Sequence, residues 1–573
     1  MNINSTDLNV VNPVKKSFLL RFIDKYKLML FFGIVTIALF TFITMNNINF
    51  NPTYTIIIIV VSLVFIFKPI FIIPILFTSS LLGEYFFVAF SGNGWDIEFS
   101  LIFIIGSILY LIFFKSKFPK ISLRFILLAA FFIVLNVFNF ISARYSVVGQ
   151  YSTSVDAFNS AIIMGINTLV IFFMSLEDDD NVARIIQIIK ICMTIFIIYI
   201  VYSLYNGQAY FQIAKDQYIN GIFLNQIGDA ILAGHRFSLG ATVGVNLLGT
   251  SLALIAGFFL ALFLMEKNIL VKIYDLLFSI ICLCILFITG SRSASIGFLA
   301  GFAITAVLYI IVSFIVTVYR KQFIRFIIYF IILATAAILA YVGYLHFDAI
   351  REYVYNNFIL KYISKDLIDK YLNSAFINRF FDINAFEEGA AGRVAIWNAL
   401  IQNVIPQNLK FGLGLSGYSV PYTIYQYIGQ LDDAHNIFLS ALAQTGIVGT
   451  VLYIGFFLYF EIRMIIALFK NKFFVIPIML TMIAFINGMG EDYLISRFLW
   501  IAIGIGFMML AQLKSSSYDD KKQPKKEIKK VVPIRADENP QIAVNTQVDD
   551  SLSDTASIPI DDIIKEEEND SIK

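Results

Sequence analysis

Long apolar runs separated by short polar segments make up most of the chain before residue 514. A helix needs about 20 apolar residues to cross the roughly 30 Å hydrocarbon core of a bilayer. The candidate spans lie near residues 28–45, 54–67, 69–90, 97–114, 125–142, 157–175, 184–205, 239–265, 270–289, 293–318, 324–345, 436–468, 473–489 and 493–513. The short run 54–67 can also join 69–90 as one interrupted element. The pattern therefore predicts an all-α, polytopic helical membrane protein with about 12–14 transmembrane helices.

Lysine and arginine in the short loops predict how these spans are oriented. Basic residues gather in three loops that fall on the same side as the basic N-terminus: Lys115, Lys117, Lys120 and Arg124; Arg320, Lys321 and Arg325; and Lys470 and Lys472. The alternate loops 46–53 and 91–96 carry almost none. Because positive charge marks cytoplasmic loops, both termini are predicted to be cytoplasmic, and the segments 206–236 and 346–434 to be external.

Five segments follow from this pattern. Residues 1–27 form a basic cytoplasmic N-terminus, 28–345 carry transmembrane helices, and 346–434 form one large external loop. Residues 435–513 return to transmembrane helices, and 514–573 have the composition of a disordered cytoplasmic tail. The tail begins with a basic stripe, which can bind anionic lipid headgroups or serve only as a positive-inside signal.

The large external loop has a pattern of its own. Residues 349–372 mix apolar and basic positions, which predicts an amphipathic helix near the membrane surface. Residues 393–404 place apolar side chains at helical spacing. A turn-rich stretch follows, with Pro406, Gly412, Gly414 and Gly417. The loop is therefore predicted to be structured.

Composition supports the membrane class and argues against several kinds of site. The chain is 59% hydrophobic and 14% charged, against about 25% charged in soluble proteins. Its three cysteines lie in apolar runs and offer neither a disulfide framework nor a CxxC metal spacing. Three scattered histidines disfavour a zinc site, and no P-loop or dinucleotide fingerprint occurs. No cofactor, no metal and no nucleic-acid partner is predicted.

The first candidate site residue is Arg292, in the small-residue stretch 289–295 between two apolar runs. One interpretation is a boundary arginine that only extends its charge to the membrane surface. The other is an anion clamp, because neighbouring glycine and serine let a phosphate approach and guanidinium binds phosphate in a bidentate manner.

The second candidate is Arg393, which follows glycine-rich residues and precedes the helix predicted over 393–404. A helix N-terminus and a guanidinium group at one place could bind one anion. The alternative is a surface arginine that happens to start a helix.

The third candidate is His435, in the segment 432–439 that closes the long loop and opens an apolar run. We expect it on the first turn of a transmembrane helix, where a neutral imidazole suits general-base catalysis. The alternative is a capping segment in which Asp432 or Asp433 is the N-cap and His435 faces water.

Charged residues inside or beside apolar runs form a separate group. Asp275, Glu461 and Arg497 are expected to form structural ion pairs or to have a function inside the membrane.

Three blocks together resemble the O-antigen ligase and O-antigen polymerase superfamily of bacterial membrane glycosyltransferases. Residues 290–294, Gly-Ser-Arg-Ser-Ala, resemble the Ser-Arg-Gly block of that superfamily. Residues 392–414 resemble its Gly-Arg-x-x-x-Trp … Pro … Gly-x-Gly block, and 434–449 its His-Asn-x-x-Leu … Gly-x-x-Gly block. Residues 236–246 are similar to an upstream Arg-x-x-Gly … Asn block. The sequence departs from the pattern at Ser293, where glycine is usual, and at Val245, where proline is frequent.

The resemblance implies a GT-C-like helical fold in the cytoplasmic (inner) membrane, with its active site on the external, periplasmic face. It implies an undecaprenyl-diphosphate-linked oligosaccharide as donor, a glycan or lipid-linked acceptor, and an inverting transfer without metal or nucleotide sugar. Membrane lipids and other polysaccharide assembly proteins are further expected partners. Arg292 and Arg393 would hold the diphosphate and His435 would activate the acceptor. The residues expected to bind substrate are Arg236, Asn246, Ser291, Trp397 and Asn436.

Polymerase and ligase share this chemistry and differ only in the acceptor. We favour a surface polysaccharide polymerase, for O-antigen or capsule, over an O-antigen ligase that transfers to lipid A-core. A lipid-linked oligosaccharide transporter needs no catalytic base, and the 346–434 loop ending in His435 argues against it. A peptidoglycan polymerase and a scaffold that acts through the tail are further alternatives.

Overall fold

The computed structural model describes residues 123–144, 153–176, 179–214, 217–238, 245–319, 393–415, 419–429, 433–490 and 497–522, with a few residues between 72 and 112 and between 324 and 331. The predicted spans before residue 113, the amphipathic helix over 349–372 and the tail beyond residue 522 lie outside the described residues.

Three apolar helices open the described part of the chain. They are α1 (Leu123–Arg144), α2 (Thr153–Met174) and α3 (Asp179–Tyr205). Their bounds agree with the runs predicted near 125–142, 157–175 and 184–205. One hydrogen bond joins α1 to α2 inside the bundle: Asn136 Nδ2 donates to Thr168 Oγ1 at 2.9 Å.

A small antiparallel sheet follows α3, in a segment predicted only as an external loop. Its strands are β1 (Tyr210–Ala214), β2 (Gln217–Ile219) and β3 (Arg236–Ser238), in the order β2-β1-β3, with the short helix α4 (Ile227–Leu232) before β3. Phe211 and Phe237 are paired across β1 and β3 and fully buried. Arg236 of β3 contacts the two helical segments near residues 246 and 289–290.

Three further helices form the centre of the bundle: α5 (Val245–Met265), α6 (Ile269–Thr289) and α7 (Arg292–Tyr319). α5 is buried along most of its length, so it lies inside the bundle rather than against lipid. Glycines of α7 allow close packing, because a Cβ on Gly297 would lie 2.8 Å from Asn487 Cβ and one on Gly301 would lie 2.7 Å from Ile483 Cγ1. Small residues are common where membrane helices approach each other.

The C-terminal half contains five helices. α8 covers 393–407 and includes a π-helical turn over Leu400–Val404. It is followed by α9 (Ser419–Ile428), α10 (Ile437–Leu468), α11 (Val475–Gly488) and α12 (Arg497–Lys522). Over the described residues, seven helices are long and apolar enough to cross a membrane, and the apolar parts of α11 and α12 are shorter. The chain is a polytopic helical membrane protein, as the apolar pattern predicts.

Helix α10 is interrupted at Gly446, whose φ of 64° is not helical. The loop that follows α8 fills the break with backbone hydrogen bonds: Leu413 N donates to Ala443 O at 2.8 Å, and Gly414 N to Gln444 O at 2.9 Å. A Cβ on Gly446 would lie 2.5 Å from the carbonyl of Lys410, so only glycine allows this backbone-to-backbone contact. The segment 437–445 is therefore a separate short helix at the end of the bundle.

A small hydrophobic cluster lies under this loop, apart from the main core of the membrane helices. It is formed by Ile396, Leu400, Val404, Ile405, Leu413, Val420, Ile424, Ala434 and Ala443. Its members come from α8, α9 and the first segment of α10, and two of them, Leu413 and Ala434, lie in the connecting loops. This cluster therefore packs the described part of the predicted external loop against the beginning of α10.

The two ends of the bundle carry different groups of residues. Thr289, Arg292 and Ile437 lie at one end because helix directions alternate along the chain. At the other end Lys472 Nζ donates to Met265 O at 2.8 Å, which joins the α10–α11 turn to the α5–α6 turn. Lys470 shares this end, so a basic loop lies opposite the candidate site residues. The orientation of the chain across the membrane stays a prediction.

Candidate active site

The first part of the site is the tight turn between α6 and α7. Gly290 ends α6 with φ 63°, in the left-handed region that favours glycine. Ser291 N donates to Thr289 Oγ1 at 3.2 Å, and α7 begins at Arg292. Arg292 thus stands at the N-terminus of a membrane helix, where the helix dipole adds partial positive charge.

Arg236 on β3 holds this turn in place. Its Nε donates to Thr289 O at 3.1 Å, and its Nη2 donates to Gly290 O at 3.4 Å and to Asn246 Oδ1 at 2.9 Å. These carbonyls end α6 and have no partner within that helix. That Arg236 and Asn246 bind substrate stays a prediction, and the hydrogen bonds of Arg236 hold the turn that precedes Arg292.

Ser291 is fully buried at the same turn. A Cβ on Gly249 of α5 would lie 2.6 Å from Ser291 Cβ, and Ser291 O accepts from Ser295 Oγ at 2.9 Å. Its hydroxyl lies 3.5 Å from that of Ser293. The predicted role of Ser291 in substrate binding stays a prediction. Ser293, the departure from the family pattern, is the half-exposed serine of the pair.

Arg393 begins α8 and comes close to Arg292. Both arginines are half-buried. A Cβ on Gly490 would lie 2.9 Å from Ser293 Cβ and 3.9 Å from Arg393 Nη1, so α7 and α8 meet at this glycine. Among the described residues, neither arginine has a carboxylate within ion-pair distance. The fold thus brings together two like charges that are 101 positions apart in the sequence.

The end of α11 is the point where these elements meet, although its sequence predicts only the end of a span. Asn487 Nδ2 donates to Thr250 Oγ1 of α5 at 2.5 Å. A Cβ on Gly488 would lie 3.2 Å from Ile437 Cδ1, and Gly490 borders Ser293 and Arg393. In the sequence, this position is marked only by the run Asn-Gly-Met-Gly at the end of an apolar segment.

His435 lies just before α10 rather than on its first turn. The N-cap is Asn436, whose Oδ1 accepts from Phe438 N at 3.0 Å and Leu439 N at 3.1 Å. The alternative with Asp433 or Asp432 as N-cap is therefore wrong, because the amide of Asn436 already receives the first free N–H groups of the helix. His435 itself is half-buried and has φ 46°. It is the one non-glycine residue with positive φ in the described part of the chain.

Trp397 connects α8 to the histidine segment. Its Nε1 donates to Ala434 O, one residue before His435, at 2.8 Å. Because Trp397 lies four positions after Arg393 on the same helix, the arginine and the histidine segment are both held by the first turns of α8. The predicted substrate-binding roles of Trp397 and Asn436 stay predictions, and both side chains make intramolecular hydrogen bonds.

The arrangement gives the site a defined chemical character. Arg292, Arg393 and the N-terminus of α7 provide positive charge. His435, which follows the carbonyl bound by Trp397, provides a group that can accept a proton near neutral pH. Within the described ranges, no group of three or more His, Cys, Asp or Glu could hold a metal ion. The two arginines are suited to binding an anion, and the role of His435 as a neighbouring proton acceptor stays a prediction.

Comparison with known proteins gives one result. Residues 277–454 match the family model described as O-antigen ligase. The matched segment includes Arg292, Arg393 and His435, whereas Arg236 and Asn246 precede it. No curated protein and no solved structure matches the chain.

Proposed function

Because residues 277–454 carry an O-antigen ligase domain, which places the chain in the O-antigen ligase and polymerase superfamily, we propose that it is a membrane glycosyltransferase. In this proposal a glycan passes from an undecaprenyl-diphosphate donor to an acceptor hydroxyl at the external face of the cytoplasmic membrane. The observation that carries the proposal is the approach of Arg393 to the Arg292 turn at Gly490, with no carboxylate within ion-pair distance of either arginine among the described residues.

The two arginines have a clear role in such a reaction. When the bond between the anomeric carbon and the donor diphosphate breaks, negative charge develops on the leaving oxygen. Guanidinium groups bind phosphate oxygens in a bidentate manner, and they stabilise that charge more in the transition state than in the ground state. The two groups supply the positive charge that the leaving group needs, and we propose a metal-independent reaction.

His435 is proposed as the general base. The acceptor hydroxyl must lose its proton as it attacks the anomeric carbon, and a positioned histidine typically contributes about 10²–10⁴ to the rate. Direct attack opposite the leaving diphosphate inverts the configuration of that carbon. The attachment of both Arg393 and the His435 segment to α8 supports a site in which leaving group and base face one sugar.

The acceptor defines the two candidate functions. We propose that this protein is a surface polysaccharide polymerase, whose acceptor is a second lipid-linked repeat unit. The second candidate is an O-antigen ligase, with lipid A-core as acceptor, and it is favoured by the description of the matching family model.

The experiment uses cells that lack the protein and are supplied with variants at equal levels. The wild-type chain should restore a ladder of polymer lengths, and product that appears instead as one transfer onto lipid A-core would make the protein a ligase. His435→Ala should lose about 10²–10⁴ in rate. His435→Gln should be nearly as slow, since glutamine cannot take the proton. His235→Ala is the matched control and should keep the wild-type product. Normal product from His435→Ala would exclude His435 as the base.

A further inference from the structure

We propose that Trp397 and Asn436 are positioning residues, which together hold the His435 backbone in the conformation that aims its imidazole at the acceptor. This inference rests on the proposed function, because it concerns the base of that reaction. It assigns to both side chains a role toward His435 in place of a role in contacting substrate.

The backbone of His435 needs support from its neighbours. A residue with a Cβ at φ 46° lies in the left-handed region, which costs about 1–2 kcal/mol for residues other than glycine. Such a conformation persists only where the surrounding contacts fix it. Histidine here is both strained and chemically reactive, so the strain and the proposed catalytic role fall on the same residue.

Two side chains fix the backbone on either side of His435. On the N-terminal side, the Trp397 indole donates to the carbonyl of Ala434 at 2.8 Å. On the C-terminal side, Asn436 caps α10 through Phe438 N and Leu439 N at 3.0 and 3.1 Å. The Trp397 ring also packs against the cluster that includes Ala434. His435 is therefore the one residue between two hydrogen-bonded anchors.

The geometry links the base to the anion clamp through one helix. Arg393 and Trp397 are four positions apart on α8, so one helical turn sets both the guanidinium position and the Ala434 carbonyl. Misplacement of a reacting group by about 1 Å can cost about 10²-fold in rate. Loss of the indole N–H should therefore reduce the rate of the chemical step and leave donor binding unchanged.

A double-mutant cycle tests the proposal. The purified full chain in lipid nanodiscs is given the lipid-linked oligosaccharide that accumulates in cells without the protein, and release of undecaprenyl diphosphate is measured. Trp397→Phe keeps an aromatic ring against the cluster, removes the N–H donor and makes the side chain smaller. We expect kcat to fall about 10–100-fold with the KM for the donor unchanged. In the His435→Ala background, the same change should cause no further loss, because its effect passes through His435.

A second pair of variants keeps the proposal testable if Trp397→Phe does not fold. Asn436→Ala removes the cap and should lower kcat, whereas Asn436→Ser retains a cap of similar strength and should stay within about threefold of wild type. Ser419→Ala is the matched control, since Ser419 Oγ donates to Gly414 O at 3.0 Å next to the same cluster. Its rate per folded molecule should not change.

The outcomes separate this inference from the proposed function. His435→Ala alone tests the base, and an unchanged rate there would remove the proposed mechanism before any other variant is examined. If His435→Ala is slow, losses that multiply in Trp397→Phe/His435→Ala would overturn the inference. Wild-type kcat in Trp397→Phe would also overturn it. Equal slowness of Asn436→Ser and Asn436→Ala would mean that the amide contacts substrate.

Discussion

The two halves of the bundle differ in how their charged groups are paired. In the half that carries the basic loops, Lys190 of α3 forms an ion pair with Asp275 of α6 and lies 4.7 Å from the centre of the Tyr274 ring. At the opposite end, Arg292 and Arg393 come close to each other at Gly490, and among the described residues neither has a carboxylate within ion-pair distance. In an ion pair each charge has a partner of opposite sign. Two neighbouring positive charges instead favour the binding of an anion.

The comparison assigns a different role to each group. The ion pair joins two membrane helices, as expected of Asp275 from its place in an apolar run, and Glu461 is bound by the Thr481 hydroxyl of the adjacent helix. These contacts satisfy polar groups that lipid cannot. Two like charges held close together repel each other, so we expect this pair to lower the stability of the protein when no anion is bound. We infer that the ion pair stabilises the fold and that the arginines bind an anion.

The largest effect is expected at the ion pair. Asp275→Asn leaves the Lys190 ammonium without its partner in a buried position, which should cost about 3–5 kcal/mol of unfolding free energy. The double variant Lys190→Met/Asp275→Asn removes both charges and should recover most of the loss. Unfolding in detergent measures stability, and the rate per folded molecule should stay at the wild-type value. A stable but inactive Asp275→Asn would place this pair in the reaction.

The arginines should show the reverse pattern. Arg292→Lys and Arg393→Lys keep the charge but lose the bidentate fork, and each should reduce the rate by about 10²–10³, because one preorganised transition-state contact is lost. Unfolding of the empty protein should change little. Wild-type rates from both lysine variants would show that charge alone suffices at this end.

Anion binding should stabilise the wild-type protein. If the arginines lack only an anion, inorganic diphosphate at about 100 times its Kd should add about 2.7 kcal/mol to the free energy of unfolding. Arg393→Gln should abolish most of this gain and should itself be no less stable without ligand, since a repulsion is removed. Equal stabilisation of both proteins by diphosphate would locate the anion elsewhere.

The smallest effect is expected at Glu461. Glutamine retains the carbonyl oxygen that accepts from Thr481, so Glu461→Gln should change unfolding by less than about 1 kcal/mol and leave the rate unaltered. Thr481→Val is the matched variant, because it removes the donor and keeps the shape. Loss of activity in Glu461→Gln would give this buried carboxyl a role in transfer.

Much of the membrane fold could be predicted from the sequence, because an apolar run of about 20 residues has one stable arrangement in a bilayer. The ends of α1, α3, α6 and α7 fall within a few residues of the predicted runs. The three-stranded sheet was missed, because strands of three to five residues in a polar loop leave little periodicity to detect. The break in α10 was also missed, although the run 436–468 is longer than one crossing needs.

The roles of the site residues stay predictions, and only part of their arrangement could be predicted. Arg292, Arg393 and His435 were named from their blocks, and the fold brings the two arginines together. The contacts of Arg236 and Trp397 were not predictable, since both donate to backbone carbonyls, which have no signature in the sequence. The N-cap was assigned to the wrong residues because Asp433, Asn436 and their neighbours are all good caps. The choice among them depends on where the external loop holds the chain.

The interruption of α10 at Gly446 has a consequence for how the protein is made. As one continuous helix, the 32 residues Ile437–Leu468 would extend about 48 Å, well beyond the hydrocarbon core. Residues 409–414, whose backbone forms hydrogen bonds at the break, are synthesised before α10. In the proposed orientation they have already been translocated when α10 enters the bilayer. The partner of the break is thus in place before the helix enters the bilayer. The order of synthesis allows α10 to fold directly into its divided form.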